Sequence, residues 1–228
     1  FNIRLRDQAD KQYLVVHYQN GGVKMAAILS NLTNTIIMGF VLALLLLLGL
    51  AYWHGAGAAL DYAWWGFLFR WLHVLSGVMW IGILWYFNFV QIPNMPNIEE
   101  SQRPAITQVI APAALFWFRW GAMSTIVTGL ILAWLNGYIV DAITIGLTSG
   151  VAKHSAIGIG MWLGTIMWFN VWFIIWPKQQ IALGMVEADA AAKAAAGRTA
   201  MLFSRTNTLL SIPMLFAMIS AQALYNVS

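Results

Sequence analysis

The side chains best able to do chemistry in this chain are histidines and arginines placed inside long apolar stretches. His73 lies about eleven residues into one such stretch, and Arg70 stands three residues earlier, on the same face of a helix. A neutral imidazole inside a membrane needs a ligand or a hydrogen-bond partner, and it is a common axial ligand of b-type haem. We therefore predict that His73 either binds haem iron or hydrogen-bonds to a neighbouring carbonyl or hydroxyl group.

Two further histidines stand at the edges of apolar stretches. His154 opens a later stretch and is a second candidate ligand for haem iron, although its place beside Lys153 equally suits a solvated residue. His54 is followed by Gly55, which is more typical of a helix end than of a ligand. The chain has no cysteine, which excludes disulfides, thiolate metal sites and haem attachment through a Cys-x-x-Cys-His motif.

Apart from Lys153 at the edge of one stretch, the only ionised residues inside the apolar stretches are Arg70, Arg119 and Arg205. A guanidinium in hydrocarbon costs at least a few kcal/mol, so we expect its partner to be backbone, another chain or a bound anion. Its planar fork of donors suits a carboxylate such as a haem propionate. Arg205 lies close enough to a membrane surface to snorkel. Arg119 and Arg70 are therefore the predicted anion-binding residues, and neighbouring tryptophans are expected to stack on a flat ligand.

Composition shows what kind of element must carry these residues. The chain of 228 residues is 61% hydrophobic and only 9% charged, whereas soluble domains carry about 25% charged residues. It is therefore predicted to be an integral membrane protein in contact with lipid. About 20 apolar residues cross the hydrocarbon as a helix, and prolines 93 and 177 are expected to end two of the spans. The predicted spans are residues 33–53, 62–92, 108–136, 152–176 and 199–225.

The predicted fold is an all-α, polytopic transmembrane helical bundle of about five spans. Residues 1–32 form a polar, basic N-terminal segment, and residues 33–228 form a single transmembrane domain. Residues 137–150 are too short to span and are expected to lie on the surface or to re-enter, whereas residues 187–198 read as a short exposed linker helix. Placing the N-terminus inside and the C-terminus outside leaves eight Lys and Arg on the inner side against Lys153 alone outside.

Four stretches, in order, resemble one family over roughly residues 64–220. They are RWLHVLSGVMWIGILWYF, FWFRWGAMSTIVTGLIL, GTIMWFNVWFIIWPKQQ and SRTNTLLSIPMLFAMIS. The family is that of the bacterial membrane-bound urate hydroxylases, known by their urate oxidase N-terminal domain. The resemblance implies a protein of the bacterial inner membrane that oxidises urate to 5-hydroxyisourate. It also implies transfer of electrons to a cytochrome c domain fused at the C-terminus.

The chain departs from the family pattern in two ways. It has no Cys-x-x-Cys-His motif, so it is expected to be a shortened relative that lacks the fused cytochrome c. Where members of the family tend to carry a histidine after the Met-Ile-Ser triplet, this chain reads Ser220-Ala221-Gln222-Ala223. The cofactor implied by the resemblance and by His73 is haem b, with Arg70 or Arg119 holding a propionate or a urate monoanion.

Two functions follow from these observations. The first is a membrane redox subunit that resembles urate hydroxylase, binds haem b and passes electrons to a cytochrome c on another chain. The second is a non-catalytic accessory subunit that kept the bundle and packs against other membrane subunits. A small transporter is disfavoured because the sequence has neither an inverted repeat nor an acidic proton relay. Nothing in the sequence indicates binding to nucleic acid.

Overall fold

The computed structural model describes residues 26–53 and 61–225, and the regular structure of these residues is helical. Five helices are long and apolar enough to cross a membrane, which confirms the predicted helical, polytopic fold. The predicted basic segment falls largely on residues outside the described part, and so does His54. The helices are α1 (Leu32–Trp53), α2 (Tyr62–Asn97), α3 (Ala105–Leu135), the short α4 (Ile139–Ile143), α5 (Ala152–Ala182) and α6 (Ala190–Ala223).

The chain divides into two compact units, residues 1–60 and 61–228. In the first unit, α1 has no buried residue, and the Asn31 side chain accepts a hydrogen bond from the backbone N–H of Asn34 near its start. In the second unit, α2 packs along α3 and α5 packs along α6. Large side chains fill the space between these four helices, with Trp80, Leu84 and Phe118 at most 1% exposed. This second unit carries all four predicted site residues.

Three of the long helices contain a π-helical segment directly before a proline. Proline has no N–H, and its ring clashes with the carbonyl four residues earlier, so an α-helix is normally broken there. Here the residue preceding each proline donates instead to the carbonyl five residues back, as a π turn does. The three bonds run from Ile92 to Phe87, from Ala111 to Ile106 and from Trp176 to Val171.

These π turns overturn the predicted ends of two spans. The α2 helix continues beyond Pro93 to Asn97, and α5 continues beyond Pro177 to Ala182. The helix predicted as a separate linker at residues 187–198 is likewise continuous with the last span. It begins α6, where the Asp189 side chain accepts a hydrogen bond from the Ala192 N–H at 2.7 Å. Ala196 in this region is buried, so it packs inside the second unit and is not a wholly exposed linker.

The segment between α3 and α5 is held against α5. It contains only the five-residue helix α4, too short to span, as predicted. A Cβ atom on Gly158 of α5 would collide with the Ala142 carbonyl of α4. Glycine at this position therefore lets the two helices approach backbone to backbone. This close contact places the side chains of residues 138–149 beside the first turns of α5.

A row of buried polar residues on α6 ties the bundle together. Ser204, Asn207 and Ser211, called here the polar seam, are at most 6% exposed and follow helical spacing. Asn207 accepts from Asn170 Nδ2 at 2.8 Å and donates to the Met167 carbonyl at 2.9 Å. Ser204 accepts from an asparagine of α2 at 2.8 Å, and Ser211 accepts from an indole N–H of α2 at 3.0 Å. The seam therefore bonds α6 to both α2 and α5.

Replacing Asn207 by leucine tests the importance of the seam. The change leaves the Asn170 amide without its acceptor in an apolar interior and removes one donor from the Met167 carbonyl, which we expect to lower the free energy of unfolding by about 1–3 kcal/mol. Unfolding in increasing SDS measures this loss. Thr206→Val is the control, because Thr206 is exposed and its hydroxyl bonds only to its own helix at Leu202. Equal stability of the two variants would contradict a structural role for the seam.

Candidate functional site

His73 is fixed between α2 and α3 by one of its two ring nitrogens. Its Nδ1 lies 2.9 Å from the Thr125 carbonyl oxygen and 3.3 Å from the Thr128 hydroxyl. Because a carbonyl oxygen can only accept, Nδ1 carries the hydrogen and Nε2 keeps its lone pair. Gly129 makes room for the ring, since a Cβ there would lie 2.9 Å from His73 Cε1.

This arrangement meets the simpler of the two expectations for His73, a hydrogen bond to a neighbouring helix. The hydrogen bonds involve only Nδ1, so Nε2 can still act as a ligand. No hydrogen bond to Nε2 is present within residues 26–53 and 61–225. Histidines that bind metal usually donate their other ring N–H to a carbonyl or carboxylate, which fixes the tautomer and the ring orientation. His73 therefore has the orientation and tautomer of a ligand, and the iron itself stays a prediction.

His154 is held in a similar way at the start of α5. Its Nδ1 lies 3.0 Å from Asp141 Oδ2 and 3.0 Å from Ser149 Oγ. The other carboxylate oxygen of Asp141 accepts from the Thr148 hydroxyl at 2.7 Å. The two ionisable side chains are only 21% and 26% exposed, so they form a partly shielded pair at the end of the bundle. A carboxylate in this position orients the imidazole and leaves Nε2 available for a ligand or a proton.

Tyr138 connects this pair to Arg70. Its ring stacks on that of His154, with centroids 6.0 Å apart and planes at 29°. Burial raises the pKa of the Tyr138 phenol above its ordinary value of 10.0, and the nearby positive charge of Arg70 opposes that rise. The phenol is therefore neutral at physiological pH. We call the group formed by Arg70, Tyr138, Asp141 and His154 the histidine end of the bundle.

Two members of the histidine end were not predicted from the sequence. Tyr138 and Asp141 lie between the spans, in a segment to which no role was assigned. The available signal was Asp141 itself, an acidic side chain in an otherwise apolar segment thirteen residues before a histidine. Its pairing with His154 depends on how α4 folds back on α5, which spacing alone does not reveal.

Arg119 has an aromatic partner, which the sequence did not suggest. Its guanidinium carbon lies 3.4 Å from the centroid of the Trp176 ring and 5.6 Å from that of Trp172, both on α5. Its Nε also lies 3.4 Å from the Leu115 carbonyl oxygen, a long contact. Attraction between a cation and an aromatic face is stronger where water is excluded. The charge thus has partial compensation inside the bundle, and a bound anion at Arg119 stays a prediction.

The predicted residues do not form one cluster. Tyr138 stacks on His154 and lies close enough to Arg70 to be influenced by its charge. Arg119 instead contacts Trp172 and Trp176. His73 lies on α2, one helical turn after Arg70, and its side chain contacts α3. In the part of the chain that the structure describes, no three His, Asp or Glu side chains are grouped closely enough to hold a metal ion. Iron bound here would therefore need a cofactor to supply most of its ligands.

Comparison with known proteins gives one match. Residues 137–227 match the family model described as urate oxidase N-terminal. The matched region holds α4, α5 and α6, with the Asp141–His154 pair and the polar seam, and it confirms the resemblance predicted from the sequence motifs. Arg70, His73 and Arg119 precede it. No curated protein and no solved structure matches the chain.

A double-mutant cycle tests whether Trp176 compensates the charge of Arg119. Trp176→Leu should lower the free energy of unfolding more than Trp172→Leu, because it removes the nearer ring. In an Arg119→Leu background the cost of Trp176→Leu should fall by about 0.5–2 kcal/mol, the usual strength of a cation–π contact. Costs that are simply additive would show that the two side chains are neighbours without a significant interaction.

Proposed function

We propose that this chain, whose residues 137–227 match the urate oxidase N-terminal family model, is an integral membrane redox subunit of the urate hydroxylase type. The observation that carries the proposal is that family match. The state of His73 is compatible with it, although it also meets the simpler expectation of a hydrogen-bonded histidine. Its Nδ1–H is donated to the Thr125 carbonyl at 2.9 Å, so its Nε2 keeps a lone pair inside a membrane span. That is the chemistry required of an axial haem ligand.

In this proposal His73 and His154 are the ligands of a haem b. Each imidazole is held through Nδ1, by a carbonyl in one case and by the Asp141 carboxylate in the other. When bound, the haem supplies one-electron chemistry, which the side chains of this chain cannot provide. Arg70 at the histidine end, and Arg119 with its remaining donors, are the residues suited to a propionate or to the urate anion.

The electrons removed from urate would pass to a cytochrome c on a separate chain. The charge distribution supports this arrangement, because the excess of Lys and Arg favours an orientation with the C-terminus and the histidine end on the outer side of a bacterial inner membrane. Partner subunits in the membrane are part of the same proposal.

Two observations favour the alternative, a non-catalytic accessory subunit. Where family members tend to carry a histidine, Ala221 is fully buried and the Ser220 hydroxyl bonds to the Ala217 carbonyl of its own helix. Arg119 already has an aromatic partner and does not require a bound anion for stability. In this alternative the bundle serves as a packing surface for neighbouring membrane subunits and lipid.

A matched pair of glycine substitutions separates these two functions. Gly129→Ala would place a methyl group 2.9 Å from His73 Cε1 and displace the ring, whereas a Cβ at Gly77 meets nothing within 4 Å. If His73 binds haem, the haem content per chain should fall sharply in Gly129→Ala and in His73→Ala, and stay unchanged in Gly77→Ala. His54→Ala should also retain haem. Full haem content in His73→Ala would remove His73 from the site.

The proposed orientation has its own test. A reporter enzyme that folds only in an oxidising compartment, fused after Ser228, should be active in cells, because eight of the nine basic residues between the spans lie on the predicted inner side. The matched control is the same fusion placed in the α5–α6 connection, at Glu187, which should be inactive. The opposite pair of results would reverse the orientation and place the histidine end inside.

A further inference from the structure

A small cavity lies at the end of the bundle opposite the histidine end, and none of the proposed redox residues touches it. Its volume is about 60 Å³. All four long helices of the second unit contribute to its wall, which is mainly apolar and includes Leu115 and Phe118. Three polar side chains, Gln91, Gln179 and Ser204, interrupt that wall. We call this the glutamine end of the bundle.

The cavity is surrounded by the π-helical segments. Gln91 is the last residue of the π segment in α2, and Ile175, another wall residue, is the last of the π segment in α5. Ala111, also in the wall, directly follows the π segment of α3. A π turn widens a helix and is frequent at functional sites. The space thus lies where three helices depart from α geometry next to a proline.

Two buried amide oxygens have no partner among the described residues, and one of them belongs to Gln91 in the cavity wall. Gln91 Oε1 is buried and accepts no hydrogen bond, and the same is true of Asn88 Oδ1. The nitrogen of Asn88 is already committed, since it donates to the Leu84 carbonyl at 2.9 Å and to Ser204 Oγ at 2.8 Å. Buried acceptors without donors are costly in an apolar interior, and such groups in native proteins usually bond to ordered water.

The chemistry of the wall identifies the missing donor. None of the lining residues is charged, so the ligand is neutral, and the unpaired atoms are acceptors, so it must donate hydrogen bonds. A volume of about 60 Å³ has room for water, which needs roughly 10–15 Å³ on this measure, and is well below the ~150 Å³ of a cavity that takes benzene. Dry cavities of this kind are lined by apolar groups alone, which is not the case here.

We infer that this cavity is an internal hydration site, in which ordered water donates to Gln91 Oε1. Ser204 belongs both to the cavity wall and to the polar seam of α6. The water therefore extends the hydrogen-bonded seam from the interior of the span to the glutamine end. The inference does not depend on haem or urate, since it follows only from the cavity and its unpaired acceptor.

Hydroxyl-radical labelling by X-ray pulses tests the site, because radicals form from bound as well as bulk water. The intact protein in lipid nanodiscs is irradiated, and oxidation is measured residue by residue by mass spectrometry. Leu115 and Leu84 are a matched pair, because they are 3% and 0% exposed but only Leu115 lines the cavity. A hydrated cavity should make Leu115 react at least several times faster than Leu84. Equal rates would show that the cavity is dry and overturn the inference.

A substitution identifies the group that holds the water. Gln91→Leu removes one acceptor and adds apolar volume, so labelling of Leu115 should fall to the level of Leu84. Gln102→Leu, at an exposed position between α2 and α3, should leave it unchanged. Undiminished labelling of Leu115 in Gln91→Leu would contradict a site built on Gln91. If that variant does not fold, the comparison of Leu115 with Leu84 in the unchanged protein still decides whether the cavity holds water.

Discussion

The interior of this bundle is governed by one constraint: the hydrocarbon of a bilayer offers no water to a polar group, so a buried polar group is stabilised by a partner inside the protein or by an enclosed water. Asn170 and Asn207 bond to each other across two helices, and the Trp85 indole bonds to Ser211 across another pair. Apolar contacts tolerate sliding between helices better than such hydrogen bonds do. A shift that breaks one of these bonds leaves both its donor and its acceptor without a partner. The polar seam therefore fixes the register of α2 and α5 against α6.

The same constraint explains how charge and proline are accommodated. Arg119 lies against the face of Trp176 at 3.4 Å, so a cation without an acidic neighbour is stabilised by an aromatic quadrupole. Pro93, Pro112 and Pro177 each lack an N–H, and the residue before each one bonds to the carbonyl five residues back, so the helix continues through the proline by a π turn. Continuity of these helices matters because α2, α3 and α5 position His73, its partner Thr125 and His154.

Sequence patterns predicted the features that depend on composition and local order. Hydropathy identified five spans, since the length of an apolar run is set by the thickness of the membrane. It did not predict that helices continue through Pro93 and Pro177, because proline ordinarily ends a helix and the sequence does not reveal the π turns that precede these two. His73, His154, Arg70 and Arg119 were selected as unusual residues in apolar stretches. Their partners Thr125, Asp141, Tyr138 and Trp176 depend on helix register and on the fold of α4, which a single sequence does not specify.

The two ends of the bundle differ in chemistry. The histidine end groups ionisable side chains around a buried phenol, and one imidazole further along α2 keeps an open nitrogen. The glutamine end has neutral amides around a small cavity.

The most direct test of the redox account is the absorption spectrum of the protein purified from cells supplied with a haem precursor. The account predicts an intense Soret band and, on reduction, the sharp α band of a six-coordinate b-type haem, because His73 and His154 each offer one nitrogen to the iron. A purified, folded protein with no visible absorption in either redox state would contradict it and favour the accessory subunit.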